Sequence, residues 1–455
     1  MSVVTRIPPS PTGRFHIGTA RTALFNYLFA RRHGGKFLFR SEDTDKSRSK
    51  KEYENEILEG LAWLGLSHDG FSRQSEHAPR HRELLEKLIG AGKAYVSLEP
   101  GKEDASTIVK IIRLKNPGTI VTFHDEIRGE VTFDTTELGD FVIAKSLDEP
   151  LYHLAVVADD ADAGVTHVIR GEDHISNTPR QILIQEALGL PRPIYAHLPL
   201  ILDAKRAKLS KRTGATSVTD YRTEGFLPEG LVNYLALLGW SSPDTSREYF
   251  SIDELIELFS LEGIHKSGAA WDREKLLSVN QYWMRKLSSE EFLQHVRDIV
   301  SPSSDEGLTM SLNSEILKKT VPLLKERAKT FGEAREMLAD ELKCLFEAPV
   351  LDRDQLLAKE PKDRPDMTKS ALESLSGAIK ALPEGASVET VKDALMPLAD
   401  AEEARGKGGR GATLWPLRYA LSGQERSPDP FTLISILGKK ESLSRIEKAI
   451  AILWG

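Results

Sequence analysis

Apolar positions fall in short dense blocks in the first half of the chain and at helical spacing in the second. Val3-Val4-Thr5-Arg6-Ile7 is a compact run stopped by Pro8, Pro9 and Pro11, which predicts a short buried strand running into a rigid turn. After a turn at Thr12-Gly13, Ala20, Ala23, Leu24, Tyr27 and Leu28 recur at helical intervals from Thr19 until Gly34-Gly35 ends the run. Lys36 to Arg40 reads as a second strand. Strand, helix and strand in close succession make a βαβ unit, so a parallel sheet is expected.

The α/β pattern returns at Val165–Ile169 (strand), Thr178–Leu188 (helix) and Tyr195–Leu202 (strand), with Thr178 as the expected N-cap and Pro179 at the first helical position. Between the two α/β stretches, residues 96–147 alternate as antiparallel strands do, for example at Ile120–His124 and Glu130–Asp134. They read as a small α+β insertion that splits the first domain. From about residue 250 helices take over: Ile252–Phe259, Glu290–Val300, Ser314–Ala328 and Gly332–Phe346 are amphipathic. Arg405–Gly411 is a Gly/Arg/Lys stretch that suits a flexible loop or a phosphate contact. The expected fold is a multidomain α/β chain followed by an all-α region.

Composition narrows the class. The chain has 455 residues, 40% of them hydrophobic and 28% charged, enough for about three domains. Its single cysteine, Cys344, excludes an internal disulfide and any site built from several thiolates. No apolar run approaches the ~18 residues of a membrane span, and the first residues lack a secretory signal, so a cytoplasmic protein without a membrane partner is expected. A net charge of −7 argues against a generic nucleic-acid coat protein, but it says nothing against a local basic face.

Two places carry candidate chemistry. His16-Ile17-Gly18 precedes the first helix, whose free N–H groups and positive dipole end favour phosphate. His16 can donate to phosphoryl oxygens, and Gly18 leaves room for a base or ribose against the backbone. Alone, a histidine at a helix start is ordinarily structural. The second place is Lys205-Arg206-Ala207-Lys208-Leu209-Ser210-Lys211-Arg212, where five of eight residues are cationic. A loop of this kind after a strand can stabilise charge on a departing pyrophosphate; taken singly it can equally be a solvated basic loop.

Together the two elements resemble the paired signatures of class I aminoacyl-tRNA synthetases. The run Arg6–Ala20 continuing to Asn26, then Glu42-Asp43-Thr44-Asp45 with Arg48, Val168–His174, Thr178–Gln181 and Gly225–Glu229, is similar to bacterial-type glutamyl-tRNA synthetases. The resemblance implies a Rossmann-like catalytic domain (1–95 and 148–240), a connective insertion for the tRNA acceptor end (96–147), a helical stem-contact domain (241–312) and a helical anticodon-binding domain (313–455). It implies ATP with Mg2+, L-glutamate, tRNA(Glu) or tRNA(Gln), and a monomer. Arg6, Ser10, Glu42, Tyr152 and Arg170 would line the amino-acid pocket. Guanidinium groups suit the two carboxylates and Glu42 suits the ammonium. His16, Gly18, Thr19, Lys208, Ser210 and Lys211 would attend ATP, with His16, Gly18 and Lys211 catalytic. Arg327 and Arg418 would meet tRNA. Asp159 and Asp160 are candidate magnesium ligands, their ordinary alternative being a solvated acidic turn.

The chain departs from its relatives in three places. Val96-Ser97-Leu98-Glu99-Pro100 follow Tyr95 where many relatives carry Cys-x-Cys, so no zinc is expected, and the insertion is short. Pro8 and Ser41 replace a usual alanine and isoleucine. Besides the tRNA(Glu) enzyme, the sequence admits a paralogue glutamylating tRNA(Gln) and an inactive RNA-binding relative.

Overall fold

The computed structural model describes residues 2–100, 107–203, 205–207, 209, 217–300, 315–357, 365–404 and 409–454. The chain forms two compact units, Met1–Asn280 and Gln281–Gly455.

The first unit is built on parallel strands. β1 (Val4–Ile7), β2 (Lys36–Ser41) and β3 (Gly70–Arg73) pair in parallel in the order β1-β2-β3. On the other side of β1, the Thr166 N–H donates to the Val4 carbonyl at 3.0 Å and Thr166 Oγ1 accepts from Val4 N at 2.8 Å. These bonds bring in β10 (His167–Gly171), which pairs in parallel with β11 (Ile194–Leu198). Chain order therefore reverses at β1, and crevices outside the carboxyl ends of strands at such a switch point are natural ligand sites.

Helix α1 (Ile17–Arg32) follows β1 and is buried along almost its whole length, including Leu24, Phe25 and Leu28 at 0% exposure. The spaced apolar pattern of the sequence showed one face. The other is covered because α7 (Pro228–Leu237) and α8 (Ile252–Leu258) also pack on it. Each such large apolar side chain withdrawn from water contributes about 1.5–3 kcal/mol.

The inserted strands divide between two sheets. β4 (Ala94–Pro100), β5 (Ile108–Leu114), β8 (Phe141–Ser146) and β9 (Glu149–Pro150) form an antiparallel sheet. β6 (Ile120–Asp125) and β7 (Gly129–Asp134) form a hairpin whose first strand joins β11 at Tyr195 and Asp125. The expected strand Tyr195–Leu202 is interrupted at Pro199, which cannot donate to a ladder. Ile201–Leu202 instead pairs with Ala269–Ala270.

The second unit is helical. The expected helix Gly332–Phe346 is shorter: Phe331–Ala339 ends where Asp340 leaves helical geometry, and a single turn follows at Lys343–Leu345. The break lets Leu338, Leu342 and Leu345 all reach the core. Arg445 is 3% exposed and ties this region together, Nη1 donating to the Cys344 and Leu421 carbonyls at 2.6 Å each. Pro430–Trp454 bends at Gly438, where φ is +80°. Gly409 caps the helix Arg410–Ser422, so the end of the Gly-rich stretch is helical, and residues 405–408 lie outside the described residues.

Candidate active site

The crevice lies at the carboxyl ends of β1, β2, β10 and β11 and encloses about 580 Å³, within the usual range for a small-molecule site. Arg6, Ser10, Glu42, Tyr152 and Arg170 line it, as do His16, Gly18 and Thr19. Local structure explains the convergence. Pro8 and Pro9 stop β1 and turn the chain across the strand ends; the Pro9 carbonyl accepts from Glu42 N at 3.0 Å, fixing the residue after β2 beside them. Tyr152 opens α4 (Tyr152–Asp162), and Arg170 is the penultimate residue of β10, just before Gly171.

Lys208, Ser210 and Lys211 lie outside the described residues, but the chain on either side is fixed. Leu209 lines the crevice and donates its N–H to the Ile201 carbonyl at 2.8 Å. Ser217 bridges to His16, and Val218 N donates to the Phe15 carbonyl at 2.8 Å. The described chain thus breaks off at the crevice wall beside Ile201 and resumes beside His16.

His16 is the N-cap of α1 with extended backbone, leaving the first helical N–H groups without a side-chain cap. A Cβ placed on Gly18 would meet only the His16 ring, at 3.6 Å. Protein packing does not require glycine there. Arg21 is buried and bonds the Leu238 carbonyl at 3.1 Å and the Pro199 carbonyl, tying α1 to the end of β11. Burial lowers its pKa to about 10.

The two predicted carboxylate-binding arginines differ. Arg6 Nε donates to both oxygens of Asp160 at 3.2 Å. Arg40 Nη1 donates to the same carboxylate at 2.6 Å, and its Nη2 to Glu42 Oε1 at 3.2 Å. Arg40 Nε is 3.6 Å from Asp159. Asp159 accepts from Gln74 at 2.8 Å and faces His81 Nε2 at 2.7 Å and His77 Nδ1 at 2.9 Å. Asp159 and Asp160 are therefore neither a solvated turn nor open magnesium ligands. They are buried counter-ions of the two arginines. Burial alone would raise the Asp160 carboxyl, but Arg6 and Arg40 outweigh it and hold it below the usual range. His77, His81 and Asp159 are the one trio among the described residues with ligating atoms close enough to share a metal ion. Hydrogen bonds already join all three.

Arg170 is 6% exposed and bonded only to neutral groups. Its Nε donates to His197 Nε2 at 3.2 Å, and Nη2 to Thr178 Oγ1 at 2.8 Å and the His174 carbonyl at 3.5 Å. No carboxylate among the described residues forms an ion pair with it. Burial pulls its pKa down, with Tyr152 opposing, yet a guanidinium stays charged at neutral pH. Tyr152 Oη lies 3.3 Å from His174 Nδ1. The predicted N-cap Thr178 does not cap; α5 (Thr178–Leu188) starts after Asn177, and the threonine hydroxyl is diverted to Arg170.

Sequence reasoning missed Arg40, His174, His197 and Asp125. The run Val168–His174 gave the only signal, since it holds both Arg170 and His174.

In the second unit, Arg327 ends the helix Glu315–Arg327 and pairs with Glu341 at 3.2 Å in a half-exposed contact. Arg418 stacks on Trp415 at 4.7 Å and donates to the Glu425 carbonyl at 2.7 Å, holding the turn after its helix.

A reversed parallel sheet with His16-Ile17-Gly18 at the first strand–helix turn and buried arginines beside it is the framework of a class I synthetase. The family model "tRNA synthetases class I (E and Q), catalytic domain" matches residues 2–104 and 99–278, and "Anticodon binding domain" matches residues 291–450. The chain belongs to this family. Glutamate–tRNA ligase 1 of Acidithiobacillus ferrooxidans is 39% identical, covering 99% of this chain and 100% of its own. Glutamate–tRNA ligase 2 of Neorickettsia sennetsu is 40% identical over 99% of this chain and 100% of its own. A glutamate tRNA ligase from Elizabethkingia meningosepticum, solved with its amino acid, superposes with a TM-score of 0.85 at 31% identity, covering 100% of both chains. No helix among the described residues is long and apolar enough to cross a membrane.

Proposed function

We propose that this protein attaches L-glutamate to the 3′ end of tRNA(Glu) in two steps through glutamyl-adenylate, converting ATP to AMP and pyrophosphate. The observation that carries this reading is Arg170, a buried guanidinium in the crevice that is fixed by neutral partners and neutralised by no described carboxylate. Such a cation favours an anionic side chain of the substrate. Arg6, whose charge Asp160 already meets, adds an Nη1 donor that has no partner among the described residues. Glu42 uses Oε1 for Arg40 and offers its other oxygen to the substrate ammonium. Ser10 and Tyr152 complete the shell. Glutamine in the same pose would leave Arg170 without a counter-charge, a cost of roughly 3–5 kcal/mol, or about two to almost four orders of magnitude in selectivity.

The nucleotide lies at the other end, its phosphates toward the N-terminus of α1. His16 donates there, Gly18 and Thr19 allow close approach, and the loop bearing Lys208, Ser210 and Lys211 stabilises departing pyrophosphate. The substrate α-carboxylate attacks the α-phosphorus of ATP. The terminal ribose hydroxyl of tRNA then attacks the activated carbonyl. Neither step needs a covalent enzyme intermediate, so orientation and charge placement carry the catalysis. Mg2+ enters with ATP, held by phosphates and water, since Glu42, Asp159 and Asp160 are already paired.

Residues 96–147 receive the acceptor end, 241–312 contact the stem, and 313–455 read the anticodon with Arg327 and Arg418. The protein acts as a monomer in the cytoplasm.

Side-by-side charging of purified tRNA(Glu) and tRNA(Gln) with labelled glutamate tests the reading. Strong glutamylation of tRNA(Glu) and little of tRNA(Gln) is expected. Preferential charging of tRNA(Gln) would identify the paralogue instead, and no ATP–pyrophosphate exchange with tRNA present would identify an inactive RNA-binding relative.

A further inference from the structure

Asp125 and His197 are both 0% exposed and lie behind Arg170, outside the lining of the crevice. His197 is in β11, and Asp125 is the last residue of β6, the inserted strand that joins the parallel sheet. Asp125 Oδ2 lies 2.6 Å from His197 Nδ1. Its other oxygen accepts backbone N–H bonds from Arg128 at 2.8 Å, Ile127 at 3.0 Å and His197 at 3.3 Å. The carboxylate is thus held as an anion at a fixed place. On the far edge of the imidazole, Nε2 faces Arg170 Nε at 3.2 Å and the Thr178 hydroxyl, which can also donate to it, at 3.2 Å.

This chain of bonds dictates the tautomer. A guanidinium only donates, so His197 Nε2 must accept; the ring hydrogen must then sit on Nδ1, where Asp125 receives it. The arginine is oriented by a neutral acceptor that a buried anion polarises from behind. The contrast with Arg6 gives the arrangement its meaning. A carboxylate bonded directly to Arg170, as Asp160 is to Arg6, would fix the guanidinium equally well but cancel the charge that an anionic substrate needs. Putting an imidazole between anion and arginine separates the two tasks.

We propose that Asp125 and His197 are positioning residues that set the orientation of Arg170 while leaving its charge available, and that they thereby govern affinity and selectivity for glutamate. This rests on the reading of Arg170 as the partner of the substrate's carboxylate. Replacing Asp125 by asparagine presents an N–H to His197 Nδ1, which drives the ring hydrogen to Nε2, where it opposes the Arg170 N–H. The fold keeps its shape and the hydrogen bond to Arg170 is lost.

The test uses the full chain with tRNA(Glu). Asp125→Asn and His197→Ala should raise KM for glutamate about 10- to 100-fold, the range for a hydrogen bond to a charged group, with KM for ATP within about twofold. His197→Gln, whose side-chain oxygen can reach the position of Nε2, should recover most of the loss. Nitrogen-15 spectra of histidine-labelled protein, with the His197 signal identified by its absence in His197→Gln, should show the neutral Nδ1–H tautomer, switching to Nε2–H in Asp125→Asn. An Nε2–H or cationic His197 in the unaltered protein would overturn the proposal even if every variant failed to fold. So would parallel changes in both KM values, or a glutamine variant no better than alanine. Failure of the unaltered protein to charge any tRNA would overturn the functional reading, whereas normal charging with an unaffected Asp125→Asn would overturn only the role given to the pair.

Discussion

Arg6 and Arg170 are the same side chain at the ends of adjacent strands, and their neighbours make them different reagents. Asp160 neutralises the first; His197 and Thr178 orient the second without neutralising it. Both were legible in the sequence as arginines within long motifs. The distinction was not, because it depends on Asp160, 154 residues from Arg6 in sequence, and on a histidine in another strand. Thr178 shows the same limit. Its place before Pro179 reads as a helix cap, and only the fold reveals that its hydroxyl serves Arg170. Gly18 was read for its chemistry, and the surroundings support a specific test. A Cβ there would sit in ordinary contact with the His16 ring, so Gly18→Ala should melt within about 1 °C of the parent, glycine-to-alanine in a helix being mildly favourable. KM for ATP should nevertheless rise several-fold or more if a ligand approaches this backbone. A lowered melting temperature with an unchanged KM for ATP would assign Gly18 to packing.

Between elements, the buried ion network joins β1, β2 and α4 through Arg6, Arg40, Asp159 and Asp160. Asp160→Asn leaves Arg6 and Arg40 short of a counter-charge and should cost about 3–5 kcal/mol of stability in the first unit, read as a large drop in its melting temperature at pH 7. Asp160 has a folded pKa below its unfolded value, near 3.9. Its contribution is therefore fully present above that pH and is lost as pH falls through the lower folded value. The gap between parent and variant should persist at pH 5 and close only in stronger acid; a gap already closed at pH 5 would show that the pair is not ionised as described. Adjacent acidic residues at 159–160 read as a turn because a lone sequence does not show which cations will be folded over them. Strands and helices of the catalytic part were legible from period and punctuation. The break at Asp340 was not, since neither glycine nor proline marks it.

For the molecule as a whole, the α/β-then-helical plan follows from periodicity, whereas the joining of β6 to β11 is a long-range pairing with no local signature. The second unit gives a separate prediction. Arg327 takes part in one half-exposed ion pair, worth ~0–1 kcal/mol, so Arg327→Ala should leave melting nearly unchanged. If this residue meets tRNA, KM for tRNA(Glu) should rise several-fold while KM for glutamate stays constant; a parallel rise in both would assign the effect to the catalytic unit.

The attachment of β6 to the parallel sheet also limits how far this region can be pruned. Removing residues near the β4–β5 tip would shorten an antiparallel sheet at its exposed end, where Leu98 and Ile108 face solvent. Excising the segment that carries Asp125 would expose an edge of β11 and strip His197 of its anion. Shortening of residues 96–147 therefore meets a floor at the start of the hairpin near Ile120, past which the support that Asp125 gives His197 is lost.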